Sequence, residues 1–392
     1  MLSKKLDHVT PSYTIEISTK VSELKSQGID IINLSIGEPD FFTPEQAKLK
    51  GIEAIHQNKT KYDSSAGLKE LRKAIQYKLK EENGVNYEFD EIVVSSGAKH
   101  SITNTLIALL NPGDEVIIPK PFWVSYSEMV KMLGGVPIFV ETNKNNNFKI
   151  TAEELKNSIS EKTKLLLINN PSNPTGAIYT ENELRSIVNV CLNNNVYILA
   201  DEIYEKICYT NKFTSIASLS EEAKNITVTI NGLSKSAAMT GWRIGYSACP
   251  KKIAKAISTI QGHLVSHPST ISQWAAYGAL NLCSDEMRNM VNIYKARRDK
   301  AISLLSKISE ISFINPQGAF YIFIDISSLK DKINYKESYS VEFCKRFLEE
   351  YKVAIVPGIA FGIDDYIRIV YCADMKEVEE GIKRLEKFIK NL

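Results

Sequence analysis

This 392-residue chain has few of the features that mark several function classes. Its six cysteines (Cys191, Cys208, Cys249, Cys283, Cys344 and Cys372) are dispersed, with no CxxC pair and no histidine at metal-ligand spacing. That pattern indicates free thiols and not a disulfide framework or a zinc site. There are five histidines. His263 and His267 stand four residues apart, but no acidic or cysteine third ligand sits nearby, so no metal is expected. The chain has no charge excess, with 48 basic against 46 acidic residues and a net charge of +2. Nothing in that balance argues for a nucleic-acid or membrane-surface partner. No run approaches the roughly 20 apolar residues of a membrane helix. The opening "MLSKKLDHVTPSY" has no apolar core of leader length, so a cytoplasmic location is expected. No GxGxxG follows any strand pattern, which argues against a nicotinamide dehydrogenase.

What is present is an alternation. Residues 13–28 read as a helix closed by Gly28, and "IDIINLSIGEPDF" as a short strand breaking into a turn. Between about residues 90 and 250 the apolar runs "EIVVSS", "DEVIIP", "VPIFVET", "KLLLINN", "VYILAD" and "ITVTIN" are separated by helical stretches. Two of those stretches open with a capping box, Thr151 with Glu154 and Thr180 with Glu183. Short apolar strands alternating with helices predict an α/β fold, with a mostly parallel sheet sandwiched by helices. A helix over about 284–307, a hairpin in "ISFINPQGAFYIFIDIS", a helix in "YSVEFCKRFLEEYK", a strand in "YIRIVYC" and a terminal helix predict a smaller α+β lobe. The "NKNNNF" run (143–148) reads as a surface turn and no more.

Ligands in such sheets sit at the carboxyl ends of the strands, and several of these ends carry chemistry. Gly97, Ala98 and Lys99 follow the first strand and open a helix, whose N–H groups suit an anion. A plain strand–helix turn would use glycine the same way. Trp123 follows the second strand, though a single tryptophan is usually core. "NNPSNPTG" (169–176) could present the Asn173 amide or merely form an Asx turn. Asp201 follows "VYILA"; it is either a helix cap or a carboxylate with a buried partner, and Tyr204 stands three residues on. "GLSKSAAMTGWRIGY" (232–246) puts Lys235 and Arg243 in a segment that otherwise reads as buried, with Arg243 expected on a further strand. A buried cation is costly unless neutralised or paired. Taken together, these strand ends supply what pyridoxal 5'-phosphate needs: a lysine to bind it, a carboxylate for its ring nitrogen, an aromatic face, and glycine amides, Ser234 and Arg243 for its phosphate.

"SIGEPDF", "KYDSSAG", "NNPSNPTGAIY", "ADEIYE" and "LSKSAAMTGWRIGY" resemble the signatures of class I, fold-type I aminotransferases, in order and over essentially the whole chain. "PFWVSYSEMV" and "SGAKHS" make the chain most similar to the bacterial Iβ aspartate aminotransferases, a branch with members that also accept prephenate. The resemblance implies an N-terminal arm with part of the small domain over 1–45, a large cofactor-binding domain over 46–290 and a C-terminal small domain over 291–392. It implies that Lys235 bonds the cofactor and shuttles the proton. Asp201 pairs with the ring nitrogen, Tyr204 and Asn173 bond the ring oxygen, and Trp123 stacks on the ring. Gly97, Ala98, Lys99, Ser234 and Arg243 take the phosphate, joined by Tyr62 from a neighbouring subunit of a homodimer. Gly37 contacts substrate through its backbone, and Arg368 grips the α-carboxylate. That last role has independent support, because Arg368 sits mid-strand in "YIRIVYC" and its planar fork suits a carboxylate; a structural salt bridge is the other use.

The implied reaction is a ping-pong transfer of an amino group, with aspartate as donor and 2-oxoglutarate as acceptor. Lys99 would help hold the distal carboxylate while Ser12 and Thr14 close over the substrate. Prephenate-using relatives tend to carry a basic residue just before Pro11, where this chain has Thr10. Other donor specificities (aromatic, or prephenate/arogenate) and a C–S β-lyase on the same fold remain as alternatives. A non-catalytic regulator of this fold would carry a DNA-binding segment, and no basic helix-turn-helix pattern precedes Ser35–Phe41.

Overall fold

The computed structural model describes residues 9–10, 13–210 and 213–392. Its strands are β1 (Ile32–Asn33), β2 (Ile92–Ser95), β3 (Glu115–Pro119), β4 (Val136–Val140), β5 (Thr163–Asn169), β6 (Tyr197–Asp201), β7 (Thr227–Gly232), β8 (Gly245–Ala248), β9 (Ser312–Phe313), β10 (Tyr321–Asp325), β11 (Val353–Ala354), β12 (Val356–Pro357) and β13 (Tyr366–Val370). The central sheet has the order β2-β8-β7-β6-β5-β3-β4. Only β8 runs antiparallel to its neighbours. β2, β7 and β8 are buried along their whole length, as strands covered on both faces must be. All the parallel strands therefore end at one edge, and every helix or turn that follows them starts there.

The local signals act as their chemistry requires. Thr151 and Thr180 each accept a hydrogen bond from the backbone N–H of Glu154 and Glu183, and each glutamate bonds back. Gly28 closes the Tyr13–Ser26 helix at φ +81°. The smaller lobe holds the antiparallel sheet β12-β13-β10-β9, covered by the helices Tyr339–Tyr351 and Met375–Lys390. Parallel pairing of β1 with β11 ties the N-terminal segment to this lobe.

Two sequence expectations need correction. Arg243 is not on a strand: β8 begins two residues later, and Arg243 sits exposed in the preceding turn at φ +56°. The segment is tight there because Gly245 abuts the start of the next helix, where a Cβ would lie 2.2 Å from Ala98 N. Nor is the 143–148 turn merely surface. Lys144 Nζ donates to Asp325 Oδ2 at 2.7 Å, so the turn docks on β10 of the other lobe.

Candidate active site

The strand ends enclose a cavity of about 460 Å³. Gly37, Ala98, Lys99, Trp123, Asn173, Asp201, Tyr204, Ser234, Lys235, Arg243 and Arg368 all line it, so the structure brings together residues scattered over more than 300 positions of sequence. Tyr62 lies elsewhere: it is 90% exposed, with its ring edge-on to His267 at 5.8 Å. Ser12 falls outside the described residues, as does the side chain of Thr14. The Tyr13–Ser26 helix does reach the cavity, through Ile15, Ser18 and Thr19.

Lys235 follows β7 in a turn, half-buried, with its Nζ donating to Gly37 O at 2.7 Å. Burial pushes its pKa down to about 8, because the charged form loses hydration. Gly37 must be glycine, since a Cβ there would fall 2.3 Å from the Tyr321 hydroxyl. Asp201, at the end of β6, is 4% exposed. Its Oδ2 accepts from Tyr126 Oη at 2.6 Å and its Oδ1 from Ile203 N at 3.2 Å. Burial raises its pKa to about 6 despite those two bonds. No helix follows it, so it is not a helix cap; it closes a short turn at Ile203 and is a carboxylate with a buried partner.

Arg368 is 3% exposed in β13. Nη1 donates to Asn173 Oδ1 at 3.0 Å and Nη2 to Ser35 O at 2.6 Å, while Nε has no partner among the described residues. The guanidinium lies 4.5 Å from the Tyr321 ring and 5.0 Å from Phe361. Among the described residues no carboxylate pairs with it, so no structural salt bridge is found there. The expected Asx turn at Asn173 is not formed; Asn169 Oδ1 accepts from Asn173 N at 2.7 Å, and the Asn173 side chain is turned to Arg368.

At the other end, Lys99 Nζ sits 4.8 Å from the Trp123 ring. Its pKa is lowered by desolvation and then by the Arg243 charge. Gly97 holds φ +90°, and a Cβ there would lie 2.3 Å from Arg243 Nη2. Arg243 Nη1 donates to Thr240 O at 2.8 Å. The cavity lining therefore carries four cations (Lys99, Lys235, Arg243, Arg368) and one carboxylate, Asp201. An imbalance of that size in a partly desolvated site selects an anionic ligand.

Two site residues escape a reading of the sequence. Tyr126 holds Asp201; it lies in the first turn of the helix that begins at Ser125, just after Trp123, and the two rings meet edge-on at 5.2 Å. Tyr321 shares a 2.6 Å hydroxyl–hydroxyl bond with Tyr204. Burial raises both phenols, Tyr321 to about 12 and Tyr204 well above its usual range, so both are neutral donors at physiological pH.

The chain is similar to known proteins over its whole length. The family model "Aminotransferase class I and II" matches residues 29–385. An aspartate aminotransferase of Bacillus sp. (strain YM-2) is 45% identical over 392 residues, covering 100% of this chain and 99% of the relative. A probable aspartate/prephenate aminotransferase of Aquifex aeolicus is 43% identical, covering 100% and 99%. Among solved structures, an aspartate aminotransferase from Rhizobium meliloti superposes with a TM-score of 0.94 at 38% identity, covering 100% and 99%. The Thermus thermophilus aspartate aminotransferase with maleate gives 0.92 at 36%, covering 99% of each chain. The chain belongs to the class I and II aminotransferase family, and it is a transaminase.

Proposed function

We propose that this transaminase holds pyridoxal 5'-phosphate in the cavity and moves the amino group of aspartate to 2-oxoglutarate in two half-reactions. The residues present fit the cofactor. Gly97 holds the φ +90° that L side chains rarely adopt, with the Arg243 guanidinium against it, Ser234 and Arg243 line the cavity, and Trp123 offers a ring face. Asp201 is a buried carboxylate whose raised pKa a neighbouring cation would reverse. The observation that carries the substrate reading is Arg368. A buried guanidinium with no carboxylate costs on the order of several kcal/mol, and a substrate α-carboxylate repays it bidentately.

Bound there, the cofactor supplies an electron sink. Lys235 would hold it and, once released, would take the Cα proton as general base and return it; burial lowers its pKa to about 8, so the neutral amine is far more accessible near neutral pH than in an ordinary lysine. Asp201 stays ionised and stabilises positive charge at the ring nitrogen. Tyr204 and Asn173 bond the ring oxygen, with Tyr321 and Arg368 fixing their orientation. Gly37 meets the substrate through its backbone. Lys99, with Ser12 and Thr14, is assigned the distal carboxylate. That assignment is supported by the exposure of Lys99 at the cavity and by the dicarboxylate maleate in the Thermus relative's structure. Tyr62, projecting from its own subunit, suits a phosphate contact across a homodimer. The described cysteines are all free, which suits a reducing compartment such as the cytoplasm. Relatives named for both aspartate and prephenate support a wider acceptor range, against which stands Thr10.

An amino-donor screen with 2-oxoglutarate tests the reading. Aspartate is expected to turn over fastest and to bleach the yellow protein. Turnover with aromatic or branched donors and none with aspartate would sink it. Pyruvate release from cystathionine would point to a lyase instead.

A further inference from the structure

The turn at 143–148 is built at some cost. Asn147 and Phe148 both hold left-handed backbones, φ +53° and +56°. For an asparagine that is tolerable; for a phenylalanine it is an outlier costing on the order of 1 kcal/mol or more. The turn is fixed by its own asparagines: Asn143 Oδ1 accepts from Asn145 N at 2.8 Å, and Asn146 Nδ2 donates to Lys149 O at 2.9 Å. So held, it puts the Phe148 ring edge-on to Tyr366 at 5.5 Å and to Phe323 at 6.0 Å. Those two rings are stacked on each other at 4.6 Å. Beside them, Lys144 Nζ pairs with Asp325 and Ser312, and Tyr366 Oη donates to Asp325 Oδ2 at 3.2 Å.

These contacts lie on the strip that carries the substrate residues. In β10, Tyr321, Phe323 and Asp325 alternate onto one face, and in β13 so do Tyr366 and Arg368. The register puts Phe323 opposite Arg368 and Asp325 opposite Tyr366. Phe361 bridges the two, edge-on to Phe323 at 5.9 Å and 5.0 Å from the Arg368 guanidinium. One end of the strip is gripped by the turn, and the other end faces the cavity.

We propose that Phe148 and Lys144 are positioning residues for Arg368: from the large lobe they fix the β10–β13 pair, and so set how well the site holds a substrate carboxylate. This rests on the reading of Arg368 as the carboxylate ligand. Because both substrates use that guanidinium, releasing the turn raises the KM for amino donor and oxo acid alike. It leaves the proton transfer at Lys235 nearly unchanged.

The test uses the cofactor-loaded full chain. Phe148→Gly removes the ring while relieving the backbone, and Lys144→Ala and Asp325→Asn remove the ion pair. Each is expected to raise both KM values about 3- to 10-fold, the range of coupling through packed networks, with the single-turnover rate at saturation kept within about twofold. Adding Lys144→Ala to Asp325→Asn is expected to cost less than Lys144→Ala does alone, since only the Ser312 bond is left to lose, and Phe148→Leu to restore most of the affinity. Arg368→Lys serves as the control. If it raises both KM values while the turn variants leave them unchanged, the positioning role is overturned and the carboxylate reading stands. If Arg368→Lys leaves KM unchanged, the carboxylate reading itself fails. A fall in the saturated rate at constant KM also overturns the proposal. Should Phe148→Gly fail to fold, the two ion-pair variants decide the question.

Discussion

Asp201 is subject to opposing influences. Burial lifts its pKa from 3.8 to about 6, while Tyr126 and the Ile203 amide pull it down. Between those two values the folded chain keeps a proton that the unfolded chain has released. Stability of the cofactor-free protein therefore falls as pH rises through that window. A cationic ring nitrogen beside Asp201 removes the penalty, but only when the carboxylate is ionised. The rise in melting temperature on adding pyridoxal 5'-phosphate is thus expected to be larger at pH 8 than at pH 5. Asp201→Asn should reduce that difference to what the phosphate alone contributes. An identical difference in the variant, measured by thermal denaturation with and without cofactor, would remove Asp201 from this role. Tyr126→Phe deletes one of the two stabilising bonds and should move the midpoint to higher pH.

At the scale of elements, the segment from β7 through β8 shows what a sequence can disclose. The parallel strands are legible because each is a run of apolar residues, buried along most of its length except in the edge strand β4, and the functional residues are legible because they follow such runs directly. Lys235 is found that way. Arg243 is misplaced for a physical reason: Trp242 and Ile244 flank it like a strand, and nothing local reveals the left-handed turn. Tyr126 and Tyr321 are missed because an aromatic within an apolar run reads as core; lateral register, not spacing, brings Tyr321 to Tyr204. The docking of the 143–148 turn depends on residues some 180 positions away and leaves no local trace. The close approach of β8 to the helix after β2 is testable. Gly245→Ala would drive a Cβ into the Ala98 backbone, which cannot swing aside as a side chain can. It is expected to weaken cofactor binding at least about tenfold and to lower the melting temperature by several degrees, in the usual range for overpacking. Gly241→Ala, with nothing within 4 Å, should change neither in a cofactor titration.

At the scale of the whole molecule, several large apolar side chains are left exposed to water. Phe42 is 91% and Tyr62 90% exposed, and Ile52, Ile55, Leu264 and Val265 are each about half exposed. A single chain gains nothing by presenting them to water, whereas burial between two copies is favourable. Tyr62 cannot serve the cavity of its own chain, since it lies outside the lining. If it completes the partner's site, two inactive proteins should repair each other. Tyr62→Ala keeps Lys235 but spoils the neighbour's phosphate site; Lys235→Ala keeps Tyr62 but has no base. In a mixed dimer one site has both defects and the other has neither. Random reassortment of a twofold dimer makes half the dimers mixed, so activity should rise to about a quarter of the native value. A contact within one chain predicts no rise above the average of the two parents, and activity assays on co-refolded mixtures separate the two outcomes. Because the intact site of a mixed dimer draws its base from one chain and its phenol from the other, recovery would also show that the cavity is complete only in the assembly.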